Sequence, residues 1–121
     1  MTIREPSDVQ IINNLLSQPF ISEHFQDEFD AILKENANSL IVIDFYATWC
    51  GPCKIMGPKF VKMSSEFTSV VFIKIDVDES EDIVSRFDIK VMPTFIFMRN
   101  GAQIVRGSKP FRFLSFAIRC C

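Results

Sequence analysis

Two of the four cysteines in this 121-residue chain lie three positions apart, at Cys50 and Cys53, with Gly51 and Pro52 between them. An apolar run precedes the pair and a helical pattern follows it, which places the pair at the start of a helix. Side chains with this spacing on a first helical turn are neighbours, within reach of a disulfide after a modest local adjustment. The pair can therefore alternate between a disulfide and two thiols with little backbone movement.

The two cysteines occupy different positions on the predicted helix. Cys50 lies at the N-terminus, where unpaired amides and the helix dipole favour a thiolate. Cys53 lies inside the first turn, and we expect it to be the more buried of the two. Cys50 is therefore expected to attack a substrate disulfide, and Cys53 to resolve the mixed disulfide that forms. Pro52 stiffens the turn, and Gly51 removes side-chain bulk beside the nucleophile.

A pair of cysteines with this spacing can also be half of a zinc site. The sequence contains no second pair of this kind and no closely spaced histidine partner that would complete the ligand set. The single histidine, His24, is distant from the cysteines in sequence. The spacing therefore favours redox chemistry, and we predict no metal and no bound cofactor.

Charged residues interrupt two apolar strand patterns, with Asp44 inside residues 40–47 and Lys74 inside residues 70–77. Burial of an unpaired carboxylate is costly and raises its pKa. Asp44 precedes the cysteine pair on the strand that leads into it, so we expect it to exchange a proton with Cys53. Pairing with Lys74 would soften the cost of burial. A position on a half-exposed strand face is the alternative for Asp44.

Strand and helix patterns alternate along most of the chain. Strands are predicted at residues 40–47 and 70–77, and helices at 27–36, from about 51 to 67 and at 80–87. Residues 94–105 form a predicted hairpin around an Asn-Gly turn. This order predicts an α/β fold, a mixed β-sheet with helices on both faces. Strands separated by helices are expected to be parallel, and the hairpin adds an antiparallel edge.

The two ends of the chain have patterns of their own. Residues 1–19 are predicted to be an N-terminal extension, in which Asp8 caps a short helix that carries Val9 and ends at Pro19. Pro110 is well placed to start a helix. The helix predicted after it would be apolar on nearly every face.

Composition excludes several classes of function. The net charge of −2 and the pI near 5.3 leave no basic stripe for nucleic acid. No signal peptide, transit peptide or membrane-spanning run is recognised. We therefore expect a cytoplasmic protein, in a compartment where thiols are kept reduced and closely spaced cysteines are usually catalytic or metal-binding.

The segments "DFYATWCGPCK", "IKIDVDE", "VMPT" and "NG" resemble the thioredoxin family, particularly its animal cytosolic members, over residues 20–101. The resemblance implies the thioredoxin fold and a general protein-disulfide reductase. It implies that Cys50 is the attacking thiol and Cys53 the resolving thiol. It also implies that Asp44 is the buried acid, with Lys74 as its partner.

The same resemblance implies a substrate groove. Pro93 matches the family's cis-proline, and Met92 matches the residue whose backbone pairs with a substrate strand. Gly107 matches the glycine that lines the groove. The other members of its apolar rim are Trp49, Gly51 and Pro52.

The resemblance also implies partners. A flavin-containing, NADPH-dependent thioredoxin reductase would recharge the cysteine pair, and peroxiredoxins and ribonucleotide reductase would be typical recipients. The thioredoxin domain would span residues 20–121, with a divergent part from about residue 106.

The divergent tail is apolar and ends in Cys120-Cys121, which we expect to be free thiols. The tail is expected to promote dimerisation or aggregation under oxidising conditions. The alternative to a reductase is a variant or redox-impaired binding module with an altered C-terminus.

Overall fold

The computed structural model describes residues 9–11, 19–20, 25–108 and 117–119. The strands in these ranges are β1 (Val9–Ile11), β2 (Pro19–Phe20), β3 (Ile41–Tyr46), β4 (Val71–Asp76), β5 (Thr94–Arg99) and β6 (Ala102–Gly107). The helices are α1 (Phe25–Glu35), α2 (Gly51–Glu66) and α3 (Glu81–Phe87). None of the helices in this part of the chain has the length and apolar character needed to cross a bilayer.

The two apolar runs form the centre of a six-stranded mixed sheet with the order β2-β1-β4-β3-β5-β6. Strands β3 and β4 are parallel, as predicted, and their register sets Asp44 opposite Lys74. The first five residues of β3 are buried, because the sheet carries packed elements on both faces. The central strands therefore bring two charged side chains into an apolar interior.

The sheet separates two apolar clusters. Ile43 and Phe45 of β3 belong to the cluster that contains residues of α1 and α3. Val42, from the opposite face of the same strand, belongs to the cluster that contains α2. There the ring of Phe60 lies edge-on to that of Phe72, with 5.2 Å between centroids. This alternation places helices on both faces of the sheet, as predicted.

The predicted hairpin is present and turns at Asn100 and Gly101. Both residues have positive φ, 56° and 77°, which the tight turn between twisted strands requires. Strand β5 nevertheless runs antiparallel to β3, so the prediction that strands separated by helices are parallel is wrong at this position. The seven residues of α3 span about 10 Å, half the length of a six-residue strand. Strand β5 therefore starts at the end of the sheet where β4 finishes.

The N-terminal extension contributes a strand where a helix was predicted. Val9–Ile11 pairs antiparallel with β4 on one side and with β2 on the other. The prediction of a helix through Val9 is therefore wrong. Pairing there satisfies backbone groups along the outer edge of β4, and this outweighs a weak local helical pattern. Apart from Pro19 in β2, the rest of the extension lies outside the described residues, as does His24.

The end of the chain is described only in part. Residues 117–119 are helical, and Ala117 and Ile118 are buried in the cluster that contains α2. The helix start predicted at Pro110, and the pair Cys120-Cys121, lie outside the described residues.

Candidate active site

The cysteine pair lies where β3 gives way to α2. Cys50 is the N-cap of α2, with an extended backbone, and it forms a disulfide with Cys53 across a Cα–Cα distance of 5.3 Å. The backbone N–H of Cys53 donates to Cys50 Sγ over 3.2 Å. The sulfur thus occupies the place of a serine hydroxyl in an ordinary N-cap. The helix amides point at the atom that would carry negative charge once the bridge opens.

The two sulfur-bearing residues are almost equally buried. Cys50 is 6% exposed and Cys53 is 7% exposed, so the prediction that Cys53 is the more buried is wrong for this disulfide form. Cys50 is covered because it packs with Ala47 and Met92 in one small apolar cluster. The position of each cysteine on the helical turn therefore does not make one residue more buried than the other.

Met92 and Pro93, two residues predicted to shape a substrate groove, lie in the loop before β5. The Met92–Pro93 peptide bond is cis, in agreement with the family resemblance. The carbonyl oxygen of Met92 lies 3.6 Å from Cys50 Sγ. Gly107 lies in β6 and pairs with Phe95 of β5. Phe95 follows Pro93 by two residues. The residues predicted for the groove therefore come from the loop before β5, from β6 and from the start of α2.

Trp49, predicted to lie at the rim of the groove, has 65% of its surface exposed. Its indole Nε1–H donates to Asp78 Oδ2 over 2.8 Å, and the N–H of Asp78 donates to Asp76 Oδ1 over 2.9 Å. Sequence reasoning missed both aspartates. Their position was a usable signal, because Asp76 ends a strand that is parallel and adjacent to β3, and Asp78 follows it. Burial raises the pKa of Asp76, and the N–H of Asp78 partly opposes that shift.

Asp44 is the most perturbed carboxyl group among the described residues. It is 2% exposed, and its Oδ1 has no hydrogen-bond partner. Burial raises its pKa from 3.8 to about 7, although the positive charge of Lys74 pulls the pKa down. The carboxyl group is therefore poised to gain or lose a proton near neutral pH.

Lys74 influences Asp44 without a direct ion pair within 4.0 Å. The two residues are opposite one another in the β3–β4 register. The ammonium group instead lies 4.5 Å from the centroid of the Tyr46 ring. The interaction with Asp44 is therefore a longer-range electrostatic one.

Within the ranges that the structure describes, no group of three or more histidine, cysteine or acidic residues is arranged to hold a metal ion. The cysteine pair can undergo thiol–disulfide exchange. The strand that leads into it carries a carboxyl group with a pKa of about 7, and the adjacent strand carries an ammonium group opposite that carboxyl.

Comparison with known proteins agrees with this chemistry. The model of the thioredoxin family matches residues 20–115. Thioredoxin-1 of Caenorhabditis elegans is 44% identical over 82 residues, which are 68% of this chain and 71% of that protein. The crystal structure of oxidised mitochondrial thioredoxin 3 from Saccharomyces cerevisiae has a TM-score of 0.71 at 41% identity, over 79% of this chain and 90% of that one.

A second solved structure comes from work on the thiol-resolving mechanism of the yeast mitochondrial 1-Cys peroxiredoxin via glutathione/thioredoxin systems. It has a TM-score of 0.70 at 40% identity and covers 78% of this chain and 89% of that one.

One relative matches more of the chain than Thioredoxin-1 of Caenorhabditis elegans does. The peptide-N(4)-(N-acetyl-beta-glucosaminyl)asparagine amidase of Caenorhabditis briggsae is 36% identical over 117 residues, which are 95% of this chain and 17% of that protein. A match of this length must include most of residues 1–19, which lie outside the match to the thioredoxin family.

Proposed function

The chain belongs to the thioredoxin family and performs thioredoxin-type dithiol–disulfide exchange, and we propose that it is a general protein-disulfide reductase. The observation that carries the proposal is the Cys50–Cys53 bridge at the start of α2, with Cys50 Sγ beside the carbonyl of Met92. A nucleophile at a helix N-terminus next to a groove is suited to attack an extended segment of another protein.

The reaction begins with the reduced pair and a substrate disulfide. The Cys50 thiolate attacks one substrate sulfur, a mixed disulfide forms, and the other substrate sulfur leaves as a thiolate. Cys53 then attacks Cys50 Sγ, which releases the second substrate thiolate and closes the Cys50–Cys53 bridge. Two electrons pass from the protein to the substrate, and the released thiolates take up protons.

Asp44 is proposed to accept the proton of Cys53 before the second step. A carboxyl group with a pKa near 7 takes a proton from a thiol more readily than an ordinary aspartate does. Lys74 keeps that pKa from rising further, because its charge favours the ionised carboxylate. We assign Lys74 as a positioning residue, since it acts through Asp44.

The groove is proposed to bind substrates mainly through the backbone of Met92 and through apolar contact. Trp49 and Val91 expose large apolar surfaces near it. Gly51 has nothing within 4 Å of the position that a side chain would occupy. Pro52, Pro93 and Gly107 complete the proposed binding surface. Backbone pairing with a shallow apolar rim suits many protein disulfides rather than one sequence.

The proposed partners follow from the family. An NADPH-dependent flavoprotein, thioredoxin reductase, would return electrons to Cys50–Cys53, and peroxiredoxins and ribonucleotide reductase would receive them. The similarity to a chain from the yeast peroxiredoxin work supports the peroxiredoxin proposal. The proposed location is the cytoplasm. A dimer through the tail would require surface other than Ala117 and Ile118, because both are buried in their own domain.

An insulin-reduction assay with dithiothreitol tests the reductase proposal. The chain should precipitate the insulin B chain faster than dithiothreitol alone, and Cys50→Ser should abolish the acceleration. A rate equal to the uncatalysed one, or an undiminished rate in Cys50→Ser, would refute the proposal. Replacing dithiothreitol with thioredoxin reductase and NADPH tests the partner separately. Non-reducing gels after oxidation test the dimer, which an unchanged monomer band would exclude.

The amidase match supports a second candidate function, a redox module that acts on disulfides in N-glycosylated proteins. It predicts faster reduction of a disulfide-bonded glycoprotein than of the same polypeptide without its glycan. Equal kcat/KM for the two forms would leave the general reductase as the better description.

A further inference from the structure

A cavity of about 630 Å³ lies beside Cys53 and is separate from the proposed substrate groove. Its lining includes Cys53 but none of Cys50, Trp49, Met92 or Pro93. A molecule in this cavity would therefore meet the bridge at its second sulfur-bearing residue, whereas a substrate in the groove meets the first.

One wall of the cavity is a face of α2. Lys54, Gly57 and Val61 lie on this face at helical spacing. A Cβ atom on Gly57 would be 3.7 Å from Lys74 Nζ, so the missing side chain leaves the ammonium close to the helix. The same ammonium lies over Tyr46, another lining residue. The charge of Lys74 is therefore at the cavity wall.

The charged residues that line the cavity are all positive. Lys54 and Lys74 line the cavity, and no acidic residue is among its lining residues. The remaining surface is mostly apolar, with Pro58 and Val61 at its outer part. Such a cavity favours a small molecule with an anionic group and a short apolar body. Because Cys53 is the reactive group in the lining, the occupant that could do chemistry there is a thiol.

We propose that this cavity admits a small thiol bearing a carboxylate, which reduces the oxidised bridge by attack on Cys53. The thiolate forms a bond to Cys53 Sγ, the Cys50–Cys53 bond breaks, and Cys50 leaves as a thiolate. A second thiolate attacks the sulfur of the bound small molecule and releases it as a symmetric disulfide. Cys53 leaves as a thiolate and takes up a proton. Two small thiols are thereby oxidised, and the protein disulfide is reduced to two thiols.

The identity of the leaving group favours this direction of attack. Exchange is faster when the sulfur that leaves is the better stabilised thiolate. Cys50 is at the N-cap of α2, and the N–H of Cys53 donates to its sulfur. Attack on Cys53 therefore expels the sulfur that the helix N-terminus stabilises. The route rests on the redox function of the pair, and it supplies electrons for the proposed reductase cycle.

The charge of the cavity can be tested with two thiols and a matched pair of variants. Oxidised full-length protein is mixed with 3-mercaptopropionate, whose attacking thiolate carries two negative charges, or with 2-mercaptoethanol, whose thiolate carries one, and the reduced fraction is measured by acid quench, alkylation and mass spectrometry. Lys54→Glu should lower the rate constant for 3-mercaptopropionate about fivefold to tenfold and that for 2-mercaptoethanol only about twofold to threefold, because the carboxylate is missing there. Lys62→Glu, an exposed position of α2 outside the cavity lining, should change neither. Equal effects of Lys54→Glu on both thiols would overturn the proposal.

A second measurement tests the site of attack. Acid-quenched samples taken early in the reaction should carry the small thiol on Cys53, located by tandem mass spectrometry. Val61→Trp, which fills the cavity, should slow reduction by 3-mercaptopropionate about fivefold, whereas Ile55→Trp on the same helix outside the cavity should not. Adducts found only on Cys50, or equal rates for the two tryptophan variants, would overturn the proposal. No protein substrate is used, so this result is independent of the insulin assay.

Discussion

The two sulfur-bearing residues of the bridge are equally buried, yet their surroundings differ in character. Around Cys50 the structure places backbone amides of the helix, the carbonyl of Met92 and the exposed ring of Trp49. Around Cys53 it places a cavity with two lysines, one of which lowers the pKa that burial raises at Asp44. Neighbouring dipoles and charges, rather than accessibility, therefore distinguish the two cysteines.

The largest expected effect comes from removing either sulfur. Cys50→Ser should reduce the catalysed rate of insulin reduction by more than about 100-fold, because the attacking group is lost. Cys53→Ser should also stop turnover but accumulate a mixed disulfide with the substrate, visible by mass spectrometry. An equal yield of mixed disulfide in both variants would show that the two sulfurs are interchangeable.

The buried carboxyl group on the Cys53 side should make stability depend on pH. Asp44 binds a proton in the folded protein up to a pH of about 7, whereas in the unfolded chain it releases it near 3.8. Stability should therefore fall as pH rises between these values, by on the order of 2–4 kcal/mol, and stay low above about 7. Denaturant unfolding between pH 4 and 8 measures this slope.

Asp44→Asn should remove the part of the pH dependence of stability that Asp44 contributes. It should also make the protein more stable than the wild type at pH 8. Glu66→Gln, which removes an exposed carboxylate of α2, should keep the wild-type slope. If the stability of Asp44→Asn depends on pH as steeply as that of the wild type, the raised pKa inferred for Asp44 is wrong.

A smaller effect is expected on the groove side. Trp49→Ala should raise KM for insulin about threefold to tenfold with little change in kcat, because an apolar binding surface is lost while the thiols remain. Ile104→Ala, which trims an exposed apolar residue of β6, is the matched control. A fall in kcat at unchanged KM would indicate that Trp49 and its bond to Asp78 orient the reacting sulfur instead.

The smallest effect should come from Lys74→Gln. Its positive charge lowers the pKa of Asp44, so its removal should raise that pKa further and shift the pH profile of activity to higher pH. The shift is expected to be less than about one pH unit, because no direct ion pair is lost. A shift to lower pH would contradict the electrostatic coupling.

Local spacing was enough to predict the parts of the molecule that depend on near neighbours in sequence. The Asn100-Gly101 turn and the cysteine pair on a helix start both follow from residues within a few positions. Asp44 could be singled out because a charge in an apolar run stands out in any fold. The cysteine pair and Asp44 account for most of the proposed reaction.

Features set by distant segments could not be predicted in the same way. The direction of β5 depends on the short span of α3, and the strand in the extension depends on an open edge of β4. The bond from Trp49 to Asp78 joins residues 29 positions apart. Each of these features depends on the three-dimensional position at which a helix or strand ends. Residue spacing in the sequence does not determine that position.

The hairpin turn has a practical consequence for measurement. Strand β5 starts at Thr94 beside the groove and reaches Asn100 about 20 Å further along the sheet, where the N–H of Asn100 donates to the carbonyl of Ala37. A dye or a surface tether attached at Gly101 would therefore stand at the opposite end of the domain from the thiols. Immobilised in this orientation, the protein would present its reactive end to solution, as an electrode or a pull-down resin requires.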